Sequence, residues 1–146
     1  MRIGIVGIGG VGGYYGGKLA LKYGPSREHE IIFIVRGDHL KAIRESGLKL
    51  ITVDGEYLAR PTLATDQPSE IGKLDLVFFC VKSYGLENAA RMLSGNIHKK
   101  TVVIPLLNGV NITERLRGVL PRGTVIRGTV YIGSNIIAPG EVRQAG

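Results

Sequence analysis

The sequence predicts an α/β domain, a doubly wound and mostly parallel sheet with helices on both faces and a β-hairpin insertion. Three observations predict it. Short apolar or β-branched runs recur at Ile3–Val6, Ile31–Val35, Leu74–Val81, Thr101–Leu107 and Thr124–Ile132, mostly continuous rather than alternating, as strands buried on both faces are. Stretches with apolar residues at three- and four-residue spacing lie between them. A glycine-rich turn joins the first run to the first of those stretches.

Each element follows from its residues. The first strand, Met1–Val6, leads into a helix over Val11–Tyr23, whose Val11, Tyr15 and Leu19 share a face and which Gly24-Pro25 closes. After the second strand, Asp38 stands where an N-cap would precede a helix over Leu40–Ser46. Asp54-Gly55, tolerant of positive φ, predicts a two-residue turn between strands Leu48–Val53 and Glu56–Ala59. Helices over Leu86–Leu93 and Ile112–Val119 follow the next two strands. Asn111 is placed to cap the second of these, with Glu114 three residues on in a capping-box pattern. Pro105 cannot donate to a ladder and marks an early end to pairing in its strand. Thr124–Asn135, Pro139-Gly140 and Glu141–Gln144 predict a second hairpin whose return strand has hardly begun.

Length and composition bound the function. With 146 residues, 44 % of them apolar, and no internal repeat or linker, the chain reads as one domain over 1–146. Lys and Arg exceed Asp and Glu by 19 to 12, giving a net charge of +7 and favouring an anionic partner. The basic residues Lys41, Arg60, Lys99, Arg115 and Arg127 are scattered without aromatic interleaving, which argues against nucleic acid. Cys80, alone and inside an apolar run, forms no intrachain disulfide and reads as a small buried hydrophobe. No apolar run reaches the ~18 residues of a membrane span and no signal peptide opens the chain, so a cytoplasmic protein is expected. His29, His39 and His98 lack metal-ligand spacing and read as surface residues, and no G-x-S-x-G elbow is present.

The most informative window is Gly7-Ile8-Gly9-Gly10-Val11-Gly12, a G-x-G-x-x-G set between a strand and an amphipathic helix. Gly7 permits the tight turn, Gly9 leaves room for a pyrophosphate against the backbone, and Gly12 allows close helix–strand packing, so the window predicts a Rossmann-type dinucleotide site. The further glycines Gly13, Gly16 and Gly17, each costing about 1 kcal/mol relative to alanine in a helix, demand close packing against the sheet or another domain. The second strand ends in Arg36 rather than in an acidic residue, which favours the 2′-phosphate of NADP over the ribose hydroxyl of NAD. Two further strands end in Lys82-Ser83-Tyr84 and Asn108-Gly109. Together with Gly7 and Arg36, these residues would stand along one edge of the sheet, where open α/β sheets bind ligands.

Gly7–Gly12, Arg36, Cys80-Val81-Lys82-Ser83-Tyr84 and Leu106-Leu107-Asn108-Gly109-Val110 together resemble the N-terminal domain of the ketopantoate reductase (2-dehydropantoate 2-reductase) family, across the whole chain in order and spacing. The resemblance implies NADPH-dependent reduction of 2-dehydropantoate, a 2-oxo acid, to pantoate in pantothenate and coenzyme A synthesis. It implies that Gly7, Ile8, Gly9, Gly10, Val11 and Gly12 hold the pyrophosphate, Arg36 and Lys82 the adenosine-phosphate and ribose side, Asn108 the nicotinamide and substrate, and Ser134 the cofactor. The family's acid/base lysine lies in a second, helical domain that these 146 residues do not match, so this chain is expected to fold as a cofactor-binding half with no catalytic residue of its own. The alternatives are a related NADP-dependent 2-oxo acid or hydroxyacid dehydrogenase and a non-catalytic NADP-binding module. Oligomeric state stays open, a homodimer included.

Overall fold

The computed structural model describes residues 1–26 and 28–145. Strands β1 (Arg2–Val6), β2 (Glu30–Ile34), β5 (Leu63–Thr65), β6 (Leu74–Phe79), β7 (Ile97–Pro105) and β8 (Thr124–Val125) form a six-stranded sheet in the order β5-β2-β1-β6-β7-β8. Every pairing in it is parallel. The order reverses direction at β1, which places a topological switch point beside the glycine turn. Strands β3 (Leu48–Thr52), β4 (Gly55–Ala59), β9 (Ser134–Ala138) and β10 (Glu141–Gln144) form a second sheet in the order β4-β3-β10-β9.

Helices cover both faces of the larger sheet. On one face, α1 (Gly10–Tyr23) and α2 (Gly37–Ser46) enclose a core containing Ile5, Ile31, Phe33, Leu40 and Ile43, shared with Leu48, Leu50 and Val142 of the second sheet. On the other, α3 (Pro68–Ile71), α4 (Leu86–Leu93) and α5 (Ile112–Val119) close over Leu74, Val77, Phe79 and Val103. Helix α1 is sandwiched between the two sheets by its small residues. A Cβ on Gly16 would press on Phe33 and Ile5 of the larger sheet, and one on Gly13 or Gly17 on Val142 or Leu50 of the smaller. The close packing expected of these glycines is therefore present on both sides.

Several boundaries differ from the expectation. Strand β5 has no counterpart in the sequence reading, because three residues cannot establish a period. Of Thr124–Ile132 only Thr124–Val125 pairs, so that run is not a full strand. The first hairpin turns one residue earlier, at Val53-Asp54: Thr52 pairs with Gly55, and the Thr52 hydroxyl accepts from the Asp54 N–H and donates to the Gly55 carbonyl. Asp38 is not the N-cap of α2. Gly37, at φ 67°, starts that helix straight after Arg36 and leaves Asp38 in its first turn, where a carboxylate suits the positive end. Asn111 does stand at the N-cap of α5, but its side chain makes no capping bond. The second hairpin forms around Pro139-Gly140 with a shorter first arm, and its return strand is not marginal: β10 lies inside the second sheet, parallel to β3 and antiparallel to β9.

Candidate functional site

The glycine turn is built by backbone requirements that only glycine meets. Gly7, at φ 87°, donates its N–H to the Ile34 carbonyl at 2.9 Å, and a Cβ there would stand 2.9 Å from Cγ1 of Val81. A Cβ on Gly12 would collide with the Gly7 carbonyl oxygen. Ile8 seals the turn into the core at 3 % exposure. The N–H groups of Gly10, Val11 and Gly12 open α1 without intrahelical partners, and neither a side-chain cap nor an acidic first-turn residue satisfies them. Free N–H groups and the positive end of the helix macrodipole there suit an anion.

The carboxyl ends of five strands lie level at this edge. Val35 donates to Thr65 at 3.0 Å, Gly7 to Ile34, Cys80 to Val6 at 2.8 Å and Leu106 to Phe79 at 2.7 Å, each bond linking the residue just past one strand to the end of its neighbour. Arg36, Lys82 and Asn108 follow those ends within three residues, and all three are exposed. The sheet thus gathers Gly7, Arg36, Lys82 and Asn108 along one rim. Ser134 joins them from the second sheet: its carbonyl abuts Gly10, where a Cβ would collide with it, and its buried Oγ has no hydrogen-bond partner. Strand β7 ends at Pro105, which still pairs with Phe79, and the Leu106 N–H carries the ladder to β6 one bond further.

The residues fit a dinucleotide. A Cβ on Gly9 would meet no atom within 4 Å, so open space lies where the backbone would receive a pyrophosphate. The hydroxyl of Ser134, whose backbone abuts Gly10, is buried without a hydrogen-bond partner. Burial pushes the thiol of Cys80, packed beside Gly12, up to about 12. No helix among the described residues is long and apolar enough to cross a membrane.

Arg115 near the rim, and the contacts of the three histidines, escaped the sequence reading. Arg115 of α5 donates from Nε at 2.6 Å and from a terminal nitrogen at 2.8 Å to the two oxygens of Glu87, and from that terminal nitrogen to the Ser83 carbonyl at 2.6 Å. The turn after Lys82 is thereby fixed to α4 and α5. The histidines are not free surface residues. His29 stacks edge-on against Tyr23, His98 accepts from the Lys100 N–H, and His39 accepts from the Gly140 N–H at 2.8 Å. The partner of His39 lies 101 residues away, so no local pattern could have revealed it.

Comparison with known proteins agrees with this geometry. The ketopantoate reductase PanE/ApbA family matches residues 3–146. A 2-dehydropantoate 2-reductase of Halobacterium salinarum is 37 % identical over 148 residues, covering 100 % of this chain and 46 % of that protein. The crystal structure of 2-dehydropantoate 2-reductase from Porphyromonas gingivalis superposes with a TM-score of 0.92 at 42 % identity, over 99 % of this chain and 51 % of that one. A ternary structure of D-mandelate dehydrogenase with NADH and anilino(oxo)acetate superposes with a TM-score of 0.83 at 25 % identity, over 100 % of this chain and 46 % of that one. The chain spans about half the length of the curated relatives it matches. It belongs to the ketopantoate reductase PanE/ApbA family.

Proposed function

We propose that this chain is the NADPH-binding half of a cytoplasmic 2-dehydropantoate 2-reductase, which forms pantoate on the route to pantothenate and coenzyme A. The carrying observation is the exposed Arg36, two residues past β2 on the same rim as the Gly9 opening, with no acidic residue at the strand end. The N–H groups that open α1 would take the pyrophosphate, with Gly7 to Gly12 shaping the approach. Arg36, with its planar charged fork, would take the adenosine 2′-phosphate. Lys82 would contact the ribose side, and Asn108 the nicotinamide and the 2-oxo acid. Ser134 would offer its free hydroxyl to the cofactor. The bound cofactor supplies a hydride to the carbonyl carbon. The resulting alkoxide takes a proton from a general acid. In our reading that acid comes from the part of the protein corresponding to the remaining half of the relatives, so the 146 residues alone form no measurable pantoate.

Titrating the chain and its Arg36→Ala variant with NADPH and NADH tests the reading. Tighter binding of NADPH is expected, with most of that preference lost in the variant by roughly tenfold or more, the scale of a charge-assisted bidentate contact. Equal affinities in the unmodified chain would refute it. A second reading, a related 2-oxo acid or hydroxyacid dehydrogenase, is favoured by the D-mandelate dehydrogenase structure, which holds NADH and anilino(oxo)acetate. Assay of the whole protein against a panel of 2-oxo acids with both cofactors separates the two.

A further inference from the structure

We propose that His39 is a positioning residue for the dinucleotide loop, its imidazole tying α2 to the Pro139-Gly140 turn of the C-terminal hairpin, which packs on the loop at Gly10. The inference rests on the dinucleotide reading of that loop. Gly140 presents a backbone N–H, which can only donate, so Nδ1 of His39 carries a lone pair and the ring proton sits on Nε2. Nε2 is buried and completes no hydrogen bond.

The hairpin meets the loop and α1 at two further points. Ser134 abuts Gly10, and Val142 fills the space over Gly13. The turn is seated on α2 as well, since a Cβ on Gly140 would lie 2.9 Å from Cβ of Ala42. Those contacts are steric, whereas His39 supplies a polar tie that can be broken without removing an atom. A second ring proton on Nδ1 would face the Gly140 N–H donor to donor.

The charged groups on the elements around it are Arg36 just before α2, Asp38, Lys41, Arg44 and Glu45 of α2, Lys49 of β3, whose N–H donates to the Gly140 carbonyl, and Glu141 and Arg143 of β10; the glycine loop contributes none. None of these sets the titration of His39. Burial holds the imidazole below its usual value, partly opposed by the Ile8 carbonyl. Because the clasped form disfavours the proton, the tie is complete above the ordinary histidine range near 6.5 and is lost as pH falls through the lowered value.

The test is NADPH titration between pH 8 and pH 5 on the protein, on His39→Ala and on His39→Asn, with hydrogen exchange of the cofactor-free forms over residues 7–13 and 138–142. His39→Ala is expected to weaken NADPH binding roughly tenfold at neutral pH, the scale of one buried hydrogen bond, and to speed exchange in both segments. The unmodified protein should hold its affinity at pH 6.5 and above, lose it as the pH falls through the lowered histidine value, and converge there on the alanine variant. His39→Asn, whose side-chain oxygen can accept from the Gly140 N–H, should keep the hairpin protected with a flat pH profile. Unchanged exchange in His39→Ala, or parallel pH profiles for it and the unmodified protein, overturns the proposal. Should His39→Ala fail to fold, the asparagine profile and the exchange of the unmodified protein across the same pH range decide. If the protein binds no dinucleotide at any pH, the functional reading fails and exchange alone judges the clasp.

Discussion

The two faces of the six-stranded sheet are covered by different physical means. Over β6 and β7, α4 and α5 pack through large side chains: Leu86, Leu93, Ile112 and Leu116 are each at most 4 % exposed. Over β1 and β2, α1 packs through its backbone, with Gly12, Gly13, Gly16 and Gly17 buried and a second sheet closing behind it. A helix held by leucines tolerates small shifts of its neighbours, because rotamers adjust. A helix held by glycines has no side chain to move, so it fixes the loop at its own N-terminus. The face beside the glycine turn is the one built without slack.

That comparison breaks most sharply at Gly12. Gly12→Ala sets a methyl group against the Gly7 carbonyl, and both partners are backbone within one turn. We expect a loss of about 3 kcal/mol, at the upper end of overpacking costs, with dinucleotide binding abolished. Thermal melting should fall by roughly 10 °C. A variant that melts within a degree or two of the parent would show that the α1 face has the slack denied to it here.

Gly10→Ala is the milder counterpart. Its methyl group meets the Ser134 backbone, but β9 is an edge strand of the smaller sheet and can move away. A cost of about 1 kcal/mol is expected, with faster hydrogen exchange over residues 134–144 and little change over the six-stranded sheet. Equal loosening of both sheets would mean that the hairpin is part of one cooperative unit with the main fold.

The same contrast explains what the sequence made legible. The leucine-bearing helices α4 and α5 have the boundaries their periodicity predicts, and the glycine turn, Arg36, Lys82 and Asn108 stand where strand ends predict. Those features are local: a run, a period, a turn residue. What escaped is long-range. The placement of β10 between β3 and β9, the seating of Ser134 on Gly10 and the bond from Gly140 to His39 each join residues far apart in the chain. Strand β5 escaped for the opposite reason, being too short to carry a pattern, and it is recognisable only by its pairing with Ile32–Ile34.

The smallest effect lies on the leucine-packed face, in the pair that ties α4 to α5. The Arg115 guanidinium, bonded to both oxygens of Glu87, holds that carboxyl down to about 2 from an ordinary 4.5. A carboxylate lowered in the folded state adds stability that is present above pH 4.5 and disappears as pH falls through about 2. The pair is at the surface and screened by salt, so its removal should change melting little. Its larger consequence is local, because Arg115 also holds the Ser83 carbonyl beside Lys82. Carbon-13 titration of the Glu87 carboxyl should give a midpoint near 2 and, in Arg115→Ala, a return toward 4.5, with exchange rising over residues 82–86. A midpoint near 4.5 in the unmodified protein would show that the rim at Lys82 is held by the apolar packing of α4 and α5 alone.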